Sequence, residues 1–222
     1  MTAARLRLVV FDWDGTLVDS AGLIAQCILD AAERAGATPP PLETARHVIG
    51  LGLGDALAHC FPGASETTLH SVVEHYKHLF VSRDAGGLIQ PFAGARELLA
   101  DLSGAGHALA VATGKSRAGL DRQFVTTGLG PLFHDSRCAD ETHPKPHPAM
   151  LLELMDAFGA EPSQVLMIGD TSHDRRMAEA AGTPFVGVSF GAHPRDALEG
   201  PQTLAICDDY PALAQTLHGA LR

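Results

Sequence analysis

Short apolar runs recur along this chain, separated by stretches with helical spacing. Leu6–Phe11, Ala108–Ala112, Val165–Ile168 and Phe185–Val188 are nearly continuous apolar segments, and Leu204–Cys207 is a weaker one. Runs this short, with little polar alternation, predict strands buried on both faces of a parallel sheet. Between and after them, Arg96–Ser103, Arg117–Thr127, Ala149–Phe158 and Arg175–Ala181 carry helical patterns. Strands alternating with helices predict an α/β fold, a parallel sheet with helices on both faces.

One interval breaks the rhythm. From about Ser20 to Asp84 no strand pattern occurs. Ala21–Ala35 reads as a helix closed by Gly36, Pro39-Pro40-Pro41 as a break, and Leu42–Ile49, Asp55–Cys60 and Glu66–Ser82 as further helices. A crossover between parallel strands needs only about a dozen residues. This one is expected to carry an inserted helical subdomain, residues 19–85, with the sheet domain formed by residues 1–18 and 86–222 and Asp84-Ala85-Gly86-Gly87 as the return linker.

Composition narrows the class. At 222 residues and 45% hydrophobic, the chain has enough apolar surface for one substantial core with an insert. A net charge of −10 offers no footprint for a nucleic acid or an anionic membrane, yet leaves room for a small phosphorylated ligand held by local cations. Cys27, Cys60, Cys138 and Cys207 are scattered and show no metal spacing, so free buried thiols in a cytoplasmic protein are expected. No stretch approaches the roughly 20 apolar residues of a membrane span, and the run at Leu8–Phe11 is too short for a signal peptide. Lysine is rare: Lys77, Lys115 and Lys145 stand against thirteen arginines. A chain that uses arginine elsewhere can reserve lysine for sites needing a compact point charge.

The strand ends concentrate the chemistry. Val9-Val10-Phe11 runs into Asp12-Trp13-Asp14-Gly15-Thr16, which places two carboxylates at the carboxyl end of a strand, where α/β sheets bind ligands. Two such acids can divide labour, one ionised as nucleophile and metal ligand and the other protonated as general acid. An acidic turn would use the same residue types. Thr113-Gly114-Lys115-Ser116 ends the second run with a hydroxyl and free amides that suit an anion, or a simple helix cap. Lys145 stands between Pro144 and Pro146, whose fixed φ stiffens the loop carrying its ammonium. The nearby His143 and His147 lack a third soft ligand for zinc. Gly169-Asp170-Thr171-Ser172-His173-Asp174 ends another run with acids, and Asp170 and Asp174 stand where Mg²⁺ could be held together with Asp12. An acidic helix start is the alternative.

Taken together, Asp12-x-Asp14-Gly15-Thr16, Thr113, Lys145 and Gly169-Asp170-Thr171-x-x-Asp174 resemble, in order and spacing, the motifs of the haloacid dehalogenase-like (HAD) hydrolase superfamily. The nearest likeness is to its phosphoglycolate phosphatase-like members with a helical cap. Gly114 departs from the Asn often found after the motif Thr, and Trp13 from the usual Leu between the carboxylates. The resemblance implies a Rossmann-like, doubly wound sheet core with an inserted α-helical cap. It implies a Mg²⁺-dependent phosphatase of the cytoplasm acting on a small phosphorylated metabolite through an aspartyl-phosphate. In that reading Asp12 is the nucleophile and Asp14 the general acid and base. Thr113, Gly114 and Lys145 bind the phosphoryl group. Asp12, Asp170 and the backbone carbonyl of Asp14 hold the metal, and Asp174 orients Lys145 or a metal-bound water.

The cap is expected to close over the site. Arg46 and His47 and the Gly50-Leu51-Gly52-Leu53-Gly54 stretch are its candidates for substrate contact; no strand precedes those glycines, so they are not a dinucleotide fingerprint. A phosphomutase of the β-phosphoglucomutase type would share every catalytic residue, and a non-catalytic binding protein would share the scaffold. A C–halogen dehalogenase would need neither Asp14 nor Asp170. Phosphonate hydrolysis would need a cap lysine, and Lys77, the only one, sits between Tyr76 and His78 on an ordinary helix face. The oligomeric state stays open between monomer and homodimer.

Overall fold

A computed structural model describes residues 6–85 and 87–220. Six parallel strands form one sheet: β1 (Leu8–Phe11), β2 (Ala108–Thr113), β3 (Asp135–Cys138), β4 (Val165–Gly169), β5 (Phe185–Val188) and β6 (Thr203–Cys207), in the order β3-β2-β1-β4-β5-β6. This is the doubly wound arrangement expected from the sequence. Alternation splits β1 between two apolar cores. Val9 and Phe11 join the core on one face, and Leu8 and Val10 the core on the other. All four are fully buried, which is why the run shows no polar alternation.

Register decides what the strand ends bring together. Phe11 pairs with Val111 of β2 and with Ile168 of β4. The three strands therefore finish level, and Asp12, Thr113 and Asp170 emerge side by side at the carboxyl edge.

Residues 12–107 separate β1 from β2 and hold five helices. The first four are α1 (Ala21–Arg34), α2 (Leu42–His47), α3 (Leu53–Cys60) and α4 (Glu66–Asp84), and α5 (Ala95–Gly104) leads back into the sheet. α1 lies against both α2 and α4. Ser65 caps α4 by accepting the Thr68 amide at 3.2 Å. Gly86 of the expected linker and the end residues 1–5, 221 and 222 fall outside the described residues. The remaining helices, α6 (Arg117–Thr127), α7 (Ala149–Phe158), α8 (Ser172–Ala181) and α9 (Tyr210–Ala220), flank the sheet.

Three elements differ from the apolar pattern. β3, Asp-Ser-Arg-Cys, is an edge strand paired only with β2 and half buried, so it carries no apolar run. α8 begins three residues before Arg175, because Thr171 and Asp174 form a reciprocal capping box around a polar first turn. α9 has Pro211 in its first turn, where no N–H is needed, and buries Leu213 and Leu217. All four cysteines are free and buried. No helix among the described residues is long and apolar enough to cross a membrane.

Candidate active site

At the carboxyl edge the sheet gathers an unusual density of buried charge. Asp12, Lys145, Asp170 and Asp174 are each no more than 1% exposed. Lys145 Nζ lies 2.6 Å from Asp12 Oδ1 and 2.6 Å from Asp174 Oδ1. The other Asp174 oxygen accepts from Thr171, by its amide at 3.0 Å and its hydroxyl at 2.6 Å. Asp170 accepts from the Thr16 hydroxyl at 2.8 Å and from the Ala192 amide at 2.7 Å. Gly15 makes this packing possible. Its φ of +78° turns the chain back, and a Cβ there would sit 2.3 Å from Asp170 Oδ2.

The cluster is short of positive charge. Burial, reinforced by Asp174 and Asp170, drives the Asp12 carboxyl well above the usual range despite Lys145. Burial and then Asp174 push Asp170 up to about 7. Burial works against the charge on Lys145, but Asp12 and Asp174 outweigh it and hold the lysine above its ordinary range. Asp12 Oδ2 is buried without any hydrogen-bond partner. Three carboxylates against one ammonium leave two negative charges to balance, and ligand atoms of Asp12, Asp170 and Asp174 lie within 4.8 Å of one another. A hard divalent cation fits this all-oxygen donor set.

Asp14 is held differently. Its Oδ1 accepts from Ser20 Oγ at 2.7 Å and pairs with Lys115 Nζ at 3.0 Å. Lys115 also lies 4.6 Å from the centre of the Phe80 ring of α4. Thr113 is buried at the end of β2, and its hydroxyl accepts the Lys115 amide at 3.2 Å. Trp13, between the two acids, donates its indole N–H to Gln123, whose amide reaches Asp84 at 3.3 Å. Asp84 is the last residue of α4. The position that departs from the family pattern thus links the acid loop to the end of the inserted helices.

A cavity of about 660 Å³ opens above the acids, lined below by Asp12, Asp14, Gly114 and Lys115. Its upper wall is mainly apolar, with Ile24, Ile28, Val48, Leu51, Tyr76 and Phe80 from the inserted segment, joined by Asp55 and Lys77. Gly114 explains itself here, since a Cβ would meet the carbonyl oxygens of Leu51 at 2.4 Å and Gly50 at 2.6 Å. The glycine-rich stretch runs from the turn after α2 into the first residues of α3, and it lines this cavity.

The structure brings Asp12, Asp14, Thr113, Gly114, Lys145, Asp170 and Asp174 to one edge. It does not bring Arg46 there. That side chain turns away from the cavity and donates to the Gly191 carbonyl at 3.0 Å, so the expected substrate contact is corrected to a contact between insert and core. His143 and His147 are exposed, their ring centroids 4.6 Å apart at a tilt of 38°, and no third ligand joins them among the described residues. Lys77 is exposed and paired with Glu74. Ser20, Lys115 and Gln123 escaped the sequence reading as site residues. Lys115 alone gave a signal, as a rare lysine inside a motif.

The sequence model of the haloacid dehalogenase-like hydrolase family matches residues 9–188. The chain belongs to this family. Among relatives of this HAD-like hydrolase, the "Probable phosphatase IndB" of Dickeya dadantii (strain 3937) is 34% identical, over 97% of this chain and 95% of its own. A "Phosphoglycolate phosphatase" of Haemophilus influenzae (strain 86-028NP) is 30% identical over 84% and 87%. A solved structure named "Putative beta-phosphoglucomutase from Bacteroides vulgatus" superposes with a TM-score of 0.85 at 22% identity, covering 100% of this chain and 92% of the other. That last likeness shows the fold. The relatives set the HAD-like hydrolase beside the phosphoglycolate phosphatase-like members of its family.

Proposed function

We propose that this HAD-like hydrolase is a Mg²⁺-dependent phosphatase that hydrolyses a small phosphorylated metabolite through an aspartyl-phosphate on Asp12. The observation that carries the reading is the orphaned Asp12 Oδ2, buried beside Asp170, Asp174 and Lys145. A buried carboxylate oxygen without a donor costs stability unless a cation or a reacting group uses it. Family membership and the phosphatase relatives support a phosphoric monoester hydrolase.

Asp12, Asp170 and the Asp14 carbonyl would hold Mg²⁺, which when bound offsets the charge of the phosphate and keeps Asp12 ionised. Lys145 screens the transferring oxygens, and Thr113 and the Gly114 amide hold one of them. An Asp12 oxygen attacks phosphorus as the bond to the leaving oxygen breaks, and Asp14 gives that oxygen its proton. Water then attacks the aspartyl-phosphate, its proton passing to Asp14, and phosphate leaves. Both donors to Asp14 use Oδ1, which leaves Oδ2 for the proton. Asp174 keeps Lys145 aimed at Asp12.

Residues 19–85 act in this reading as a cap, and the cavity wall they supply selects the leaving group. Phosphoglycolate is the first substrate to test. Single turnover in H₂¹⁸O tests the chemistry. Released phosphate should carry the label with Mg²⁺ present, and Asp12 should carry a trapped phosphoryl group in the peptide map. Label with no modification at Asp12 would refute the nucleophile. Turnover that requires an added sugar bisphosphate would make the enzyme a phosphomutase instead.

A further inference from the structure

The contact between cap and core at the end of α2 has a specific construction. A helix leaves its last carbonyls without intrahelical partners. The carbonyl of His47, the last residue of α2, receives two imidazole nitrogens from the core: His173 Nε2 at 2.8 Å and His193 Nε2 at 2.9 Å. Both core histidines are almost fully buried, at 5% and 3% exposure. His193 Nδ1 accepts the Ser172 amide at 3.1 Å, so its hydrogen sits on Nε2 and points at the cap. The His47 ring stacks on the His193 ring, centroids 4.8 Å apart. From the cap side, Arg46 donates to the Gly191 carbonyl at 3.0 Å. Gly191 and His193 flank Ala192, whose amide holds Asp170 at 2.7 Å. The cap therefore grips the three residues that fix a carboxylate of the charged cluster. Beside this grip Gly50 approaches so closely that a Cβ would lie 3.1 Å from Thr171 Oγ1.

We propose that His173 and His193 are positioning residues for the reaction: together they form a catch that seats cap residues 46–51 on the core, with Arg46 as its counterpart on the cap. The motif position of Asp174 thus carries, one residue earlier, a group that acts on the cap and not on phosphorus. Two buried donors spent on one carbonyl make the seating specific in register, since a shift of one residue would leave both without an acceptor. The inference rests on residues 19–85 moving as a cap.

Amide hydrogen exchange on the whole protein, without ligand, tests it. In His173→Leu, peptides covering 42–54 should exchange about tenfold faster, while peptides from β1, β2 and β4 keep their protection. His173→Gln keeps a donor at the position of Nε2 and should restore slow exchange, along with kcat/KM for phosphoglycolate or whichever metabolite proves best. Arg46→Ala removes no buried group, so it stands in should the histidine variant fail to fold, and it should speed the same peptides by a smaller factor. Unchanged exchange of 42–54 in both Arg46→Ala and a folded His173→Leu protein would overturn the catch. Wild-type exchange of 42–54 as slow as in the sheet would count instead against a moving cap. Rates in the sheet rising together with those of 42–54, with no rescue by Gln, would reduce the histidines to ordinary core packing and overturn the proposal as well.

Discussion

The floor and the roof of the central cavity are built on opposite principles. The floor is polar and over-determined: Lys145 meets two carboxylates, Asp170 two donors, and Asp14 a hydroxyl and an ammonium. The roof is mainly aliphatic and aromatic, with Phe80, Tyr76 and Leu51 among its side chains and Asp55 and Lys77 as its charged members. Fixed charges act strongly in a water-poor site and must be placed before the reaction begins. Apolar walls discriminate by shape, and each methylene of fit is worth only about 1–3 kcal/mol. In the proposed mechanism that difference assigns bond breaking to the floor and the choice of substrate to the roof.

The sharpest way to break that comparison is to remove the proposed nucleophile. Asp12→Asn should lower kcat/KM by about 10⁴-fold or more while the circular dichroism spectrum is kept. In the metal-free protein its melting temperature should hold or rise, because a carboxyl whose ionisation burial opposes is gone. Lys145→Ala should cost about 10²–10³-fold in kcat, the scale of losing one preorganised charge donor. Unlike Asp12→Asn it should lower the melting temperature, since Asp12 and Asp174 both lose their buried cation. A roof variant matching either loss of kcat would erase the distinction between the two walls.

Much of the floor was legible in the sequence, and for a physical reason. Parallel strands buried on both faces must be short and apolar, so an acid directly after one is conspicuous. Asp12, Thr113 and Asp170 each follow such a run, and level strand ends place them together. Groups that reach the site from other directions leave no such mark. Ser20 lies at the entry to α1, Gln123 is buried on α6, and His193 lies in a loop after β5. Their roles depend on tertiary contacts that no local pattern encodes. Arg46 shows the converse, since a basic residue in the cap invites a substrate role and the fold turns it to a backbone carbonyl.

Gly114→Ala tests the junction of floor and roof. The added methyl would meet the Gly50 and Leu51 carbonyl oxygens at 2.6 and 2.4 Å, so the cap backbone must lift. We expect kcat/KM for the best metabolite to fall about tenfold, with the melting temperature lowered by no more than a few degrees, since overpacking costs about 1–3 kcal/mol and a displaced cap relieves part of it. A wild-type kcat/KM in the crystal-clear absence of clash relief, with residues 50 and 51 unmoved in the variant's structure, would contradict the close approach.

The smallest effect concerns where a cation grips. In the cation-free protein Asp170 keeps its proton up to about pH 7, against 3.8 in the unfolded chain. Its burial therefore lowers stability progressively as pH rises from about 4 to 7, and the penalty is constant above that. A cation binding the ionised carboxylate competes with this proton below pH 7, and each unit of pH there weakens apparent affinity at least about tenfold, since the Asp12 carboxyl is raised as well. At 100 times its dissociation constant at pH 8, Mg²⁺ should raise the melting temperature by about 5–10 °C. The same concentration at pH 5.5 should give at most roughly a third of that shift. Asp170→Asn should abolish or nearly abolish both shifts, because the cation loses one of its two proposed carboxylate ligands. Gly114→Ala, whose added methyl clashes with the roof backbone and touches none of the proposed cation ligands, should leave them unchanged. Equal shifts at the two pH values would mean that the cation does not displace the Asp170 proton. Their loss in Gly114→Ala would mean that the roof shares the cation site, and the division between the two walls would have to be redrawn.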